Sequence, residues 1–164
     1  MRSAEGYQLP FGLGRAYGDV CTITGGRLLD SRGLDRLIFA DWKQGVLRAE
    51  AGLSIDDLLH LTVPRGWFIP VTPGTRRVTL GGAVANDVHG KNHHLSGSFG
   101  CHVEWLDLVR SDGVTRRCSS RENLDLFKAT IGGMGLTGHI TRASIRMMKV
   151  PGVNVAEKVT PFAS

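Results

Sequence analysis

Hydrophobic residues fall into short blocks along this chain, and the period of the blocks changes. From Gly45 to Ala51 the run GVLRAEA sets Leu47, Ala49 and Ala51 against Val46, Arg48 and Glu50. That two-residue alternation predicts a half-buried strand. Ser54 then opens a different rhythm. Asp57 stands three residues on, a pair resembling a capping box, and Ile55, Leu58, Leu59 and Val63 recur at helical spacing until Gly66. Leu28-Leu29 and Leu37-Ile38-Phe39 predict short strands ahead of this helix. Trp67 to Val71 predicts another, which Pro70 and Pro73 keep out of the middle of a sheet.

Leu80 to Val88 reads as a short helix with Gly81 and Gly82 at its start. Val103 to Arg110 and Val114 to Cys118 flank Ser111-Asp112-Gly113, a hairpin signal. Ser119 and Glu122 predict a second capping box and a helix through Ala129. Ile140 to Met148 alternates Ala143, Ile145 and Met147 against Arg142, Ser144 and Arg146. Short antiparallel strands with a few helices predict an α+β fold rather than a regular βαβ wind. No repeat, low-complexity tract or internal linker divides the chain.

With 164 residues, 41% of them hydrophobic and 21% charged, the chain is long enough for a core and is globular in composition. Its formal net charge of +5 raises the question of nucleic acid. However, Arg15, Arg27, Arg48, Arg76, Arg110 and Arg146 are scattered and do not interleave with aromatic residues. A dianionic cofactor answers the positive balance equally well, and no nucleic-acid partner is expected. Cys21, Cys101 and Cys118 leave one thiol unpaired and show no CxxC spacing, so reduced thiols are expected, with Cys101 and Cys118 buried and inert. The N-terminus has no apolar signal region and no run reaches a membrane-span length. The expected setting is cytoplasmic; a peripheral membrane or periplasmic setting for a full-length protein stays open.

The chemistry concentrates in glycine. Thr72 to Gly100, TPGTRRVTLGGAVANDVHGKNHHLSGSFG, holds almost no large apolar side chain. A second cluster, Gly12-Leu13-Gly14-Arg15-Ala16-Tyr17-Gly18, lies upstream. Two such loops in one domain point to a phosphate-bearing ligand cradled by backbone N–H groups. The nicotinamide-type dinucleotide fingerprint fails, because its third glycine would fall at Tyr17, and no Gly-Lys-Ser/Thr provides a phosphate loop. His89, His93, His94 and His102 with Cys101 have no accompanying carboxylate, and no metal is expected. Trp42, Trp67 and Trp105 read as core residues, and Arg76 and Arg77 as solvated or substrate-steering in equal measure.

Taken together, GLGRAYGD, VTPGTRRVTLGGAVANDVHGKNHHLSGSFG, LDLVRSDGV and ATIGGMGLTGHI closely resemble the FAD-binding domain of the vanillyl-alcohol-oxidase type of flavoenzymes, the PCMH type. The resemblance runs from Gly12 to about Lys149. It implies two small α+β subdomains forming an FAD-binding domain over residues 1–150. It further implies that the domain is truncated at its N-terminus and that 151–164 begin a connection to a substrate domain the chain lacks.

The resemblance assigns roles residue by residue. Gly12, Leu13, Gly14, Arg15, Ala16, Tyr17 and Gly18 match the pyrophosphate loop. Gly74, Thr75, Thr79, Gly81 and Gly82 match the second wall of the cofactor channel. Asn86 and His89 match the lining of the flavin ring and ribityl chain, and Ile140 a backbone contact toward the adenine half. Lys91 falls where a lysine enters the substrate pocket, so His89 and Lys91 are the expected catalytic pair. Many relatives place at Arg15 a histidine that bonds to the flavin, and bicovalent ones add a cysteine before the Gly-Gly. Neither is present here, which implies non-covalent FAD.

The implied activity is oxidation of a secondary alcohol on a sugar, lipid-linked sugar or polyol, in cell-wall precursor synthesis, with a keto-sugar reductase as a partner. An aldonolactone or alditol oxidase and a non-catalytic nucleotide-binding fragment are the alternatives.

Overall fold

The computed structural model describes residues 6–161. Its centre is a five-stranded sheet in the order β3-β4-β8-β6-β7. The strands are β3 (Leu37–Asp41), β4 (Val46–Glu50), β6 (Val103–Val109), β7 (Thr115–Ser119) and β8 (His139–Arg146), and every pairing is antiparallel. The alternation in GVLRAEA places Leu47 and Ala49 in the core beside Leu106, Leu108, Ala143 and Ile145. The helices α1 (Ile55–Thr62), α2 (Leu80–Ala85) and α3 (Leu124–Thr130) add Ile55, Leu58, Leu80, Ala83, Val84 and Phe127 to that core. One sheet face is thus covered by helices, as an α+β layer requires.

The opposite face is polar, and its buried charges are paired. Glu50 is only 2% exposed and meets Arg36 at 2.7 Å. The Arg36 guanidinium holds the Glu50 carboxyl below its usual range. Arg117 grips Asp107 through two hydrogen bonds of 2.8 and 2.9 Å and lies over the Trp105 ring at 3.7 Å. Trp105 is thereby a platform for an arginine, whereas Trp67 packs in the core.

Several boundaries differ from the sequence expectations. Ser54 caps α1, accepting the Asp57 N–H at 3.0 Å, as expected. Ser119 and Glu122 instead form a turn after β7, with Ser119 N–H donating to Glu122 O at 2.7 Å. The helix that follows is capped by Asn123 in the left-handed region. The strand predicted over Trp67 to Val71 shrinks to β5 (Trp67–Phe68), which pairs with β9 (Met148–Lys149). The helix predicted over Leu80 to Val88 ends at Ala85, because Asp87 leaves helical geometry at φ 41°. Cys118 is buried, which raises its thiol pKa, but Cys101 is exposed rather than buried.

A strand before the first glycine loop was not read from the sequence. β1 (Gln8–Phe11) pairs in parallel with β2 (Arg27–Asp30), so the whole Gly12–Gly18 loop lies in the crossover between two parallel strands. Among the described residues no helix is long and apolar enough to cross a membrane.

Candidate functional site

Three glycine-bearing stretches converge around α2. Thr79 caps the helix, its hydroxyl oxygen accepting the Gly82 N–H at 3.1 Å. Gly12 lies directly on that cap: a Cβ there would fall 2.5 Å from Thr79 Oγ1, so only glycine brings the loop this close. At the other end of α2, Gly132 and Met134 donate N–H groups to the carbonyls of Val84 and Ala85, at 3.1 and 2.7 Å. A Cβ on Gly135 would touch Pro10 of β1. The loops at 12–18 and 132–138 are therefore both seated on one short helix.

The first loop has few internal commitments. Gly14 and Gly18 adopt φ of 61° and 58°. Among the described residues none of the backbone N–H groups from Gly12 to Gly18 has a hydrogen-bond partner. Leu13 and Ala16 are half-buried, Arg15 is exposed, and Tyr17 is 94% exposed.

The two helix glycines serve different surfaces. The Gly81 N–H donates to Ala51 O at 2.7 Å, and a Cβ there would press on the Ala51 side chain at 2.9 Å. Gly81 is therefore what lets α2 approach β4 closely. A Cβ on Gly82 would meet only Thr79 Oγ1, at 3.0 Å, a single tight contact with the helix cap. Gly74 is exposed with nothing within 4 Å of a Cβ, and Thr75 beside it accepts the Arg77 N–H at 3.2 Å. Asn86 ends α2 and donates its side-chain N–H to Gly82 O at 2.9 Å. Ile140 sits in β8 at 4% exposure, with its side chain in the core and its position in the ladder paired with Leu108 of β6.

His89 and Lys91 share an open cleft of about 660 Å³ with Gly74, Phe68, His93 and Met148. Phe68 and Met148 arrive together because β5 pairs with β9, a long-range contact that no local pattern announces. The loop between the two site residues is clamped. A Cβ on Gly90 would fall 2.5 Å from Thr72 O, and Asn92 donates to Pro70 O at 2.9 Å. The rings of His89 and His93 meet edge to face at 5.9 Å. No carboxylate lines the cleft, so Lys91 gives it a basic character. The remaining histidines diverge: His102 Nε2 bonds to Ser96 O at 2.8 Å, and no metal-holding group of three or more His, Cys, Asp or Glu occurs among the described residues.

The FAD binding domain family model matches residues 2–119. The chain belongs to this family. It is 46% identical over 137 residues to decaprenylphosphoryl-beta-D-ribose oxidase of Mycolicibacterium smegmatis, covering 83% of this chain and 30% of that protein. It is 30% identical over 112 residues to the human Delta(24)-sterol reductase, covering 68% and 22% respectively. Cytokinin dehydrogenase 10 of Oryza sativa subsp. japonica is 36% identical over 95 residues, covering 58% and 17%. The chain thus spans under a third of the length of these relatives.

The FAD-binding domain has the features a dinucleotide needs. A run of unpaired main-chain N–H groups from Gly12 to Gly18, with Arg15 exposed among them, suits a diphosphate. The bare surface at Gly74 suits close approach of a flat, bulky group, and at Gly82 the absence of a side chain keeps the face of α2 low. FAD is the cofactor of this family, and these residues fit it.

Proposed function

We propose that this chain is the FAD-binding part of an oxidoreductase that oxidises a secondary alcohol of a sugar or polyol, foremost C2 of a decaprenylphosphoryl-ribose in cell-wall precursor synthesis. The observation that carries the reading is the shared cleft. His89 and Lys91 line it beside Gly74, in the stretch of chain that follows α2, the helix on which the glycine loops are seated. The relative named decaprenylphosphoryl-beta-D-ribose oxidase supports the substrate class.

Bound FAD would take up the hydride from the carbinol carbon at flavin N5. The chain's own residues do the rest of the work assigned to this domain. Gly12 to Gly18 hold the diphosphate, and Gly82 and Asn86 bound the flavin side of α2. Lys91 is a mobile point charge without a carboxylate partner in the cleft, suited to a sugar phosphate or to polarising the hydroxyl. His89 orders groups at the ring face or passes a proton. FAD is held non-covalently, because Arg15 occupies the position of the linking histidine and a guanidinium does not form that bond. A reductase that returns the keto sugar to its epimer is the expected partner.

The test is spectroscopic. Purified protein is titrated with FAD, and a longer version carrying a substrate domain is then loaded and mixed anaerobically with decaprenylphosphoryl ribose or, separately, with an alditol. Bleaching of the oxidised-flavin band by the lipid-linked sugar supports the reading. A flavin bleached by the alditol alone moves the activity to polyol oxidation, and a protein that takes up no FAD overturns it.

A further inference from the structure

The backbone turns sharply just before the cleft loop, at a residue with no assigned role. Asp87 adopts φ 41°, one of three described non-glycine residues at positive φ. Such a conformation is disfavoured for a side chain and persists where the surroundings enforce it, although Asp and Asn tolerate it better than most. Here the enforcement is visible. Asp87 Oδ1 accepts the Gly100 N–H at 2.8 Å, bridging the exit of α2 to the 3₁₀ turn Phe99–His102. Val88 completes the bridge, its N–H donating to Ala83 O at 3.1 Å and its carbonyl accepting from Phe99 at 2.9 Å.

The crowding around this bridge leaves it one arrangement. A Cβ on Gly100 would fall 2.4 Å from Ile131 Cγ2 and 2.9 Å from the Asp87 carboxylate. The chain then reaches His89 two residues later and Lys91 four residues later. At its far end the same loop is pinned by Asn92 on Pro70 O. Its start is held by the Asp87 bond together with the two Val88 bonds, and a rotation at Asp87 that strains them would displace both cleft side chains together.

We propose that Asp87 is the positioning residue of this site: its carboxylate, bonded to the Gly100 N–H, locks a left-handed turn that aims His89 and Lys91 into the cleft. The use of the aimed side chains rests on the flavin reading given above, but the aiming itself does not. Asparagine preserves both the acceptor oxygen and the tolerance for this turn. Glycine preserves the turn and removes the acceptor.

Asp87→Asn and Asp87→Gly are compared with the unaltered protein by NMR of the His89 ring and the Lys91 side chain. Exchange of the Gly100 amide and the visible circular dichroism of bound FAD are measured alongside. Asp87→Asn is expected to match the unaltered protein. Asp87→Gly is expected to exchange the Gly100 amide about tenfold faster, to shift or broaden the His89 and Lys91 signals, and to change the flavin dichroism. If Asp87→Gly does not fold, Asp87→Ser, whose hydroxyl is shorter than the carboxylate, replaces it.

Unaltered His89 and Lys91 signals in the glycine or serine variant overturn the proposal, as does failure of asparagine to restore them. The resonances are read with and without FAD. Loss of FAD binding in the unaltered protein sinks the flavin reading alone, and the FAD-free spectra still decide the role of Asp87.

Discussion

Ser31 Oγ and His139 Nε2 stand 2.8 Å apart, and this hydrogen bond ties the residue after β2 to the first residue of β8. It joins the parallel β1–β2 pair, which carries the first glycine loop, to the central sheet. Burial lowers the His139 pKa below its ordinary 6.5, so near that pH the folded state binds fewer protons than the unfolded one. His139 therefore takes nothing from stability well above pH 6.5. It removes stability as pH falls through that value toward the lowered folded one. The melting temperature should drop more steeply between about pH 7 and pH 5 in the native sequence than in His139→Gln, whose amide keeps a partner for Ser31 without titrating. Parallel melting curves for the two proteins would refute this.

The two adjacent glycines of α2 should separate folding from cofactor binding. Gly81→Val forces a branched side chain onto Ala51 and should lower the unfolding free energy in urea by about 1–3 kcal/mol. Gly82→Val presses on one atom, the Thr79 hydroxyl oxygen of the helix cap, so it should shift the urea midpoint less than Gly81→Val does while FAD titration shows little binding. Full-strength FAD binding by Gly82→Val would remove this residue from the cofactor wall.

Acid precipitation of the loaded protein should release all of its flavin to the supernatant, since Arg15 offers no ring nitrogen for a bond to the isoalloxazine. Flavin colour retained in the washed pellet would mean a covalent link elsewhere on the chain.

Lys91→Ala should leave FAD content unchanged. It should raise the concentration of phosphorylated sugar needed for half-maximal flavin reduction by about tenfold, the scale of one lost charge-assisted hydrogen bond. A matched effect on an uncharged polyol would argue for polarisation of the hydroxyl instead of a phosphate anchor.

The features legible in the sequence are those whose causes are local. The Ser54–Asp57 cap, the alternation from Val46 to Ala51 and the turn at Ser111-Asp112-Gly113 each involve residues a few positions apart, where steric preference and hydrogen bonding act without the rest of the chain. The glycine loops stand out in the sequence for a similar reason, because backbone freedom without apolar side chains is a local property, and their role toward a ligand is the proposal made above. Ser119 and Glu122 show the limit of such reading. Their spacing suits a helix cap, yet the end of β7 takes them into a turn.

Tertiary structure alone decided the rest. Gly81 and Gly82 are indistinguishable in sequence, and only the approach of the chain at Ala51 makes the first a packing residue and leaves the second touching just the Thr79 cap. The parallel pairing of β1 with β2, the Ser31–His139 bond and the arrival of Phe68 and Met148 in one cleft all join distant segments. Asp87 is the sharpest case: its turn is unfavourable by local preference and persists because Gly100, thirteen residues later, supplies an N–H to its carboxylate. Sequence determined where the glycine-rich loops fall, because backbone freedom is a local property, and long-range packing determined which side chains stand beside them.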